Sequence, residues 1–501
     1  MASLETPPLL EDRPPVAPTA LAAPEAKGWK LSAILADIAT LGTGTLLAGV
    51  FNAALVFVIP RLISVEDYGY WRMFGLYAGY VGFLHFGFAD GALLRWAGRP
   101  WEDFKHEVGP GLKYLVWQHV LVLLPLGVMV ALVLRGPLRF VAIAVAIYAP
   151  LYNITATLQF ALQGARIFRP VAIAAVAAPG LLLASALVWA SRWQSGSREV
   201  IVFYLLTWCV PLVFLLAWTK PLPDGSAVRG LAKDCVRSGW PIVLANTGFM
   251  LIMYADRLAA SWAATIQTFA QYSMAASAMA VPITVIQACS NVFFPHLAGA
   301  TLGERKRVYG IASRTLLMAW AILLPYYFVL EMFMRNFLSR YVPSLQYARA
   351  LLLGIPFLAA IQILQMNYAY VNGRQRHFLV RTVAVLAASL GVTSFAAFHF
   401  GSLQILAGIQ VAIMGAWWLL NEWILRRLTG QSAGDWIKFA TVYALAAGGY
   451  WFASGSRMGL GAELSLYYPG AAIVLGALCR DELRTWLSLI ARHNIRDLVH
   501  S

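Results

Sequence analysis

The sequence predicts an all-α membrane protein that crosses the bilayer about fourteen times, with twelve crossings as the alternative. Three observations carry this expectation. The 501 residues are 60% hydrophobic and only 12% charged, with a mean hydropathy of +0.67. Soluble chains carry about twice that share of charge, so lipid must solvate most of these side chains. The apolar runs are continuous rather than alternating, which excludes barrel strands and leaves helices, the structures that satisfy their own backbone in oil.

The elements follow in order. Residues 1–28 hold six prolines and the acids Glu5, Glu11, Asp12 and Glu25. With no basic segment leading into an apolar one, they read as a disordered tail rather than a signal peptide. Apolar runs long enough to span then lie near 39–62, 71–95, 112–134, 138–162, 170–190 and 200–219, and near 240–262, 270–297, 312–334, 346–371, 379–400 and 402–426. Two weaker runs, 435–453 and 465–480, follow. Pro125, Pro150, Pro179, Pro211, Pro282, Pro325 and Pro356 fall inside these runs, where proline is tolerated and marks bending points. The run GTGTLLAG at 42–49 lacks the Lys-Ser/Thr of a phosphate loop and reads as a small-residue packing face, as do Gly75, Ala78, Gly79 and Gly82. Trp71, Trp96, Trp101 and Trp240 fall at span ends and are expected in the aromatic belts.

Of the 38 Lys and Arg, 27 fall on the side that holds both termini and 10 on the other, with Arg257 inside a helix. That asymmetry predicts cytoplasmic termini. It also explains the net charge of +15 without nucleic acid. Cys209, Cys235, Cys289 and Cys479 are scattered, so neither a disulfide framework nor a metal site is expected. No ATP-binding or hydrolase motif is present, and neither a cofactor nor catalysis is expected.

Two stretches repeat. One helix is expected to end in Pro60-Arg61-Leu62 and to lead to Tyr68; another is expected to end in Asp256-Arg257-Leu258 and to lead to Tyr272. Both enter from one side, which predicts two parallel halves, 29–220 and 221–428, of six helices each and related by an axis along the membrane normal. Residues 429–501 then form two extra helices and a tail.

The stretch PRLISVEDYGYWRMFGLYAGYVGFLHFGFADGALLRW (60–96), with WPIVLANTGFMLIMYADRLAA and FFPHLAG in 240–299, resembles polysaccharide-export (O-antigen type) flippases of the multidrug/oligosaccharidyl-lipid/polysaccharide exporter superfamily. The resemblance implies a bacterial inner-membrane flippase for undecaprenyl-diphosphate-linked oligosaccharide, serving lipopolysaccharide or exopolysaccharide synthesis. It also implies a two-lobed bundle with a polar cavity, and a polysaccharide polymerase as a downstream partner. A cation-coupled exporter of small molecules and a membrane-embedded glycosyltransferase or polymerase are the alternatives.

An anionic diphosphate crossing oil needs cationic and hydrogen-bonding company, and arginine suits it because its planar fork grips two oxygens. Arg95, at the cytoplasmic end of the second span, is the first candidate. Arg61 and Arg257 follow as an outer pair, and Arg166 as a collector in a cytoplasmic link. Asn52, His85, Gln159, Asn246, Gln287 and Asn291 are candidate sugar ligands, and Gln118, His119, Asn153 and Gln362 further polar groups within spans. Asp90 and Asp256, acids within spans, are candidates for coupling to H+ or Na+.

Overall fold

The computed structural model describes residues 31–189, 196–221, 228–299, 301–430, 432–456, 458–480 and 484. The tail expected at 1–28 and nearly all of the chain beyond 480 lie outside the described residues.

The chain begins with α1 (Leu31–Leu62), α2 (Val65–Ala78) and α3 (Phe88–Trp96). It continues with α4 (Trp101–Val133), α5 (Gly136–Gly164), α6 (Phe168–Trp189) and α7 (Ser197–Thr219). The second half opens with α8 (Val228–Met253), α9 (Ala255–Ala263), α10 (Ile266–Ala278), α11 (Ala280–Gly299), α12 (Leu302–Leu323) and α13 (Tyr326–Phe337). The short α14 (Leu345–Leu351), α15 (Ile355–Ala359) and α16 (Met366–Val371) form one crossing through a π turn at Ala360–Gln365. Then come α17 (Gln375–Phe400), α18 (Leu403–Thr429), α19 (Ala433–Ser456) and α20 (Leu460–Leu478). Among the described residues no strand occurs. Among the described residues ten helical stretches are long and apolar enough to cross a membrane, eleven with the bent pair α8–α9. The remaining expected spans are helical too, the second divided into α2 and α3, the last two being α19 and α20. The protein is an all-α, multi-pass membrane protein. Arg95, Arg99 and Arg374 mark its basic end, and α1 stops at the opposite, far end.

The Ser64–Gly69 segment builds the start of α2. Ser64 Oγ accepts from the Asp67 N–H at 3.0 Å, an N-cap. Asp67 Oδ1 accepts from the backbone N–H and hydroxyl of Ser197, so one carboxylate serves two helix starts, α2 and α7. Gly69 lets α10 come close: a Cβ there would stand 2.7 Å from Ile266. The second half repeats the device, with Thr265 Oγ1 accepting from Thr268 N–H. These caps pair Tyr68 with Phe269 rather than with Tyr272. They also show the repeat to be unequal, since α9 runs five residues past Leu258 while α1 stops at Leu62.

The spans α2–α3 and α8–α9 are both broken near mid-depth, and proline makes neither break. A 3-10 turn at Val81–His85 and the left-handed Phe86 and Gly87 separate α2 from α3. A 60° bend at Tyr254 separates α8 from α9. Pro125, Pro150, Pro179 and Pro211 instead sit inside continuous helices. Carbonyls freed at the breaks need donors, because oil supplies none. Asn153 donates to Val81 O at 3.0 Å and Gln118 to Leu84 O at 2.6 Å. Gln410 donates to Ile252 O at 2.8 Å. His119 holds Asn153 through Nε2 at 2.9 Å. Gln118, His119 and Asn153 are thus engaged as ties between helices. Gln410→Met is expected to lower stability by about 1–3 kcal/mol, the cost of an orphaned buried carbonyl, read from the unfolding midpoint in detergent.

Among the described residues the halves meet most closely at two places. At the far end α2 crosses α10; at the basic end α3 lies on α8. The second contact is backbone on backbone. A Cβ at Gly91 would stand 1.8 Å from Cys235 O, and one at Gly239 would stand 1.9 Å from Gly87 O. The first turns of α8, with Leu231, Ala232 and Cys235, are buried with Phe88, Ala92, Trp96 and Phe104 of the first half. In the 42–49 run the tight position is Gly44, against Ala172 of α6. Gly75 meets nothing within 4 Å: its face opens onto a cavity.

Candidate functional site

Between the two contacts the halves enclose two cavities that share Gly79, Met250, Tyr254 and Ile283 as walls. The one nearer the far end holds about 440 Å³, and its walls include Asn52, Tyr68, Trp71, Arg72, Tyr204 and Arg257. The one nearer the basic end holds about 1190 Å³, with Tyr80, His85, Asp90, Asn246, Gln287 and Gln362 among its lining residues.

Two guanidinium groups dominate the first cavity. Arg72 is set there by helical spacing: Tyr68, Arg72, Gly75 and Gly79 lie on one face of α2, with glycines where the cavity needs room. Its Nε is buried with no hydrogen-bond partner. Arg257 lies on α9 just past the bend, its guanidinium 4.1 Å from the centre of the Tyr254 ring. Among the described residues neither arginine has a carboxylate within 4 Å. Asp256 makes no ion pair with Arg257 within 4 Å; it is buried, accepts the Tyr272 hydroxyl at 2.5 Å, and borders with Arg257 a small void beside the cavity. The wall around the two cations is aromatic: Trp71 stacks on Phe74 and meets Tyr204 edge-on.

The predicted residues separate clearly. Asn52 and Arg257 line the first cavity; His85, Asp90, Asn246 and Gln287 line the second, as does Gln362. Asp90 lies 3.6 Å from His85 Nε2, and His85 Nδ1 accepts the Gly87 N–H at 3.0 Å, so this pair braces the α2–α3 break while facing the cavity. Arg95 is elsewhere: its Nε donates to Glu107 at 2.8 Å, and its Nη1 lies 3.9 Å from Asp234 of α8. Trp96 Nε1 and Arg99 Nη1 donate to the same Glu107 carboxylate. Arg61 is exposed in the last turn of α1, 5.9 Å from the Phe337 ring centre, and does not pair with Arg257. Arg166 is exposed with a left-handed backbone in the α5–α6 link. Gln159 is half-buried and on the wall of neither cavity. The Asn291 side chain lies outside the described residues.

The residue that sequence reading missed is Arg72. Counted with the basic residues near a span end, it passed as an orientation signal. The pattern that marks it is an arginine one turn after Tyr68 and ahead of Gly75 and Gly79 on a single helical face. Trp71 and Trp96 also leave the expected belts: the first is 8% exposed on the cavity wall and the second fully buried.

Neither a family model nor a curated protein matches the sequence. Solved structures do. An inward-facing multidrug-resistance MATE-family transporter of the MOP superfamily aligns over 80% of this chain and 99% of its own, with TM-score 0.59 and 16% identity. The lipid II flippase MurJ, in an inward closed conformation, aligns over 88% and 99%, with TM-score 0.60 and 9% identity. At such identities the likeness is one of architecture: this chain has the fold of those two transporters.

Proposed function

We propose that this protein turns a polyprenyl-diphosphate-linked oligosaccharide from the cytoplasmic to the outer leaflet of a bacterial inner membrane, by alternating access, for surface-polysaccharide synthesis. One observation carries the reading: Arg72 and Arg257 line one cavity between the halves, and among the described residues neither has a carboxylate within 4 Å. Such charges call for an anionic ligand, and two guanidinium forks match a diphosphate. Asn52, Asn246, Gln287 and Gln362 supply hydrogen bonds for sugar hydroxyls, and the Tyr and Trp walls supply flat faces for sugar rings.

The basic end faces the cytoplasm by the distribution of Lys and Arg. Residues 29–220 and 221–428 are the rocking bodies, and α19 and α20 ride on the second, against α12 and α13. Cargo enters when α3 and α8 part. Arg95, engaged by Glu107, then acts on the closed end rather than on cargo at mid-depth, with Arg166 nearby on the loading side. Of the two acids expected to exchange H+ or Na+, Asp90 stands on the cavity wall and Asp256 is engaged by Tyr272. A polymerase in the outer leaflet would take the product.

The test uses purified protein in liposomes carrying a diphosphate-linked oligosaccharide lipid on the loading leaflet. Protein-dependent appearance of the sugar on the other leaflet is expected. Transport of a lipophilic cation with no transfer of the lipid would instead establish the small-molecule exporter.

A further inference from the structure

We propose that Glu422, inside the second half and away from the transport cavities, is a proton-binding site loaded from the basic end. Its link to cargo movement rests on the transporter reading; the site itself stands on geometry. Glu422 lies near the end of α18 and is 2% exposed. One carboxylate oxygen is well supplied: Tyr309 of α12 donates to Oε1 at 2.5 Å, and Gln365 Nε2 approaches it at 3.4 Å. The other is not, for Oε2 is buried without a partner, and so is Oε1 of Gln365. Two orphaned acceptors in one buried cluster lack a shared positive charge or hydrogen.

The surrounding cations do not provide it. Arg314 of α12 is held by Asp435 of α19 at 3.7 Å, and Arg381 Nε of α17 donates to the side-chain Oδ1 of Asn421 at 3.2 Å. Lys438 and the thiol-bearing Cys479 border the same region. Among the described residues none of these groups donates to Glu422 Oε2. An ionised carboxylate so enclosed would be uncompensated, whereas a proton on Oε2 neutralises it.

A route exists. A void of about 20 Å³ touches Glu422 and Trp418 and is bordered by Asp435 and Lys438, and the Asp435 side chain is 32% exposed at the basic end. That is room for one water. The O–H bond at Oε2 forms with a proton relayed through that water, which takes one up from basic-side solvent as it gives one to Oε2, and breaks by the reverse transfer. The site is also tied to the cavity. Gln365 is the last residue of the π turn Ala360–Gln365, and Gln362 of the same turn lines the larger cavity. Such turns concentrate at functional sites. A charge appearing on Glu422 alters the hold on Gln365, and the turn passes the change to Gln362.

Infrared difference spectra of the full chain in liposomes, without cargo, between acidic and alkaline buffer test the site. The protonated-carboxyl band is expected to be lost in Glu422→Gln and shifted in Tyr309→Phe. An unchanged band in Glu422→Gln overturns the site; should that variant not elute as a folded species, an unshifted band in Tyr309→Phe does so. In the lipid-transfer assay, Glu422→Gln is expected to flatten the dependence of rate on basic-side pH, and a wild-type pH profile overturns the coupling. Because the infrared arm needs no cargo, its failure leaves the substrate reading untouched.

Discussion

Arg72→Ala is expected to slow transfer of the diphosphate-linked lipid about tenfold to 150-fold, and Arg257→Ala similarly. A hydrogen bond to a charged group contributes about 1.5–3 kcal/mol, and each 1.4 kcal/mol is tenfold in affinity. The double variant is expected to fall to the protein-free rate. Arg72→Lys is expected to recover only part of the loss, since an ammonium offers a point charge in place of a fork. The sign of the stability change separates this role from a structural one. Arg72 has no carboxylate partner among the described residues, and its Nε is buried without a hydrogen bond. Its removal should therefore leave the unfolding midpoint unchanged or raised. A lowered midpoint with unimpaired transfer would assign Arg72 to holding α2 in place.

The second large effect is expected at the glycines joining α3 to α8. In Gly91→Ala the new methyl would stand 1.8 Å from a backbone carbonyl oxygen, that of Cys235. No side-chain rotation relieves such a clash, so the two helices must separate. Cys235, 1% exposed in the closed arrangement, then becomes reachable. In a chain whose other cysteines are serine, maleimide labelling of Cys235 is expected to quicken more than tenfold in Gly91→Ala, and likewise in Gly239→Ala. Gly230 has nothing within 4 Å of an added Cβ, so Gly230→Ala should label at the parent rate. Equal rates in all three would mean that the basic end closes without this contact.

The spans were legible because lipid imposes one requirement on every residue between its two faces, and long apolar runs answer it. Where a span departs from that requirement, the sequence misleads. The breaks at Val81–His85 and Tyr254 fall where no proline stands, and their stability depends on Asn153, Gln118 and Gln410, donors far away in the chain. A polar residue inside a span looks the same whether it faces cargo or a broken neighbour, so Asn153 and Asn246 could not be told apart before folding. The arginines suffered a related ambiguity. Arg61 and Arg257 share the local pattern Arg-Leu, yet α9 continues five residues past Leu258 while α1 stops at Leu62, leaving one at an exposed end and the other inside. The Ser64–Gly69 segment carried only its first cap locally, Ser64 on Asp67; the second helix start that Asp67 serves, at Ser197, and the neighbour that Gly69 admits, Ile266, lie far along the chain.

The glycine contact between α3 and α8 also sets how abruptly the molecule can change state. Lipid tails solvate uncovered apolar surface about as well as a neighbouring helix does, so no water-driven force presses the two helices together. What remains is the 3.9 Å approach of Arg95 to Asp234 and dispersion between atoms already touching, of which a gap of about 0.5–1 Å forfeits a quarter to a half. Such an attachment behaves like a latch rather than a spring: it is strongest at contact and weakens steeply over the first ångström of separation. Acyl chains able to wedge into the seam therefore become participants in the switch, and the thickness and fluidity of the host bilayer should tune how long the closed form lasts.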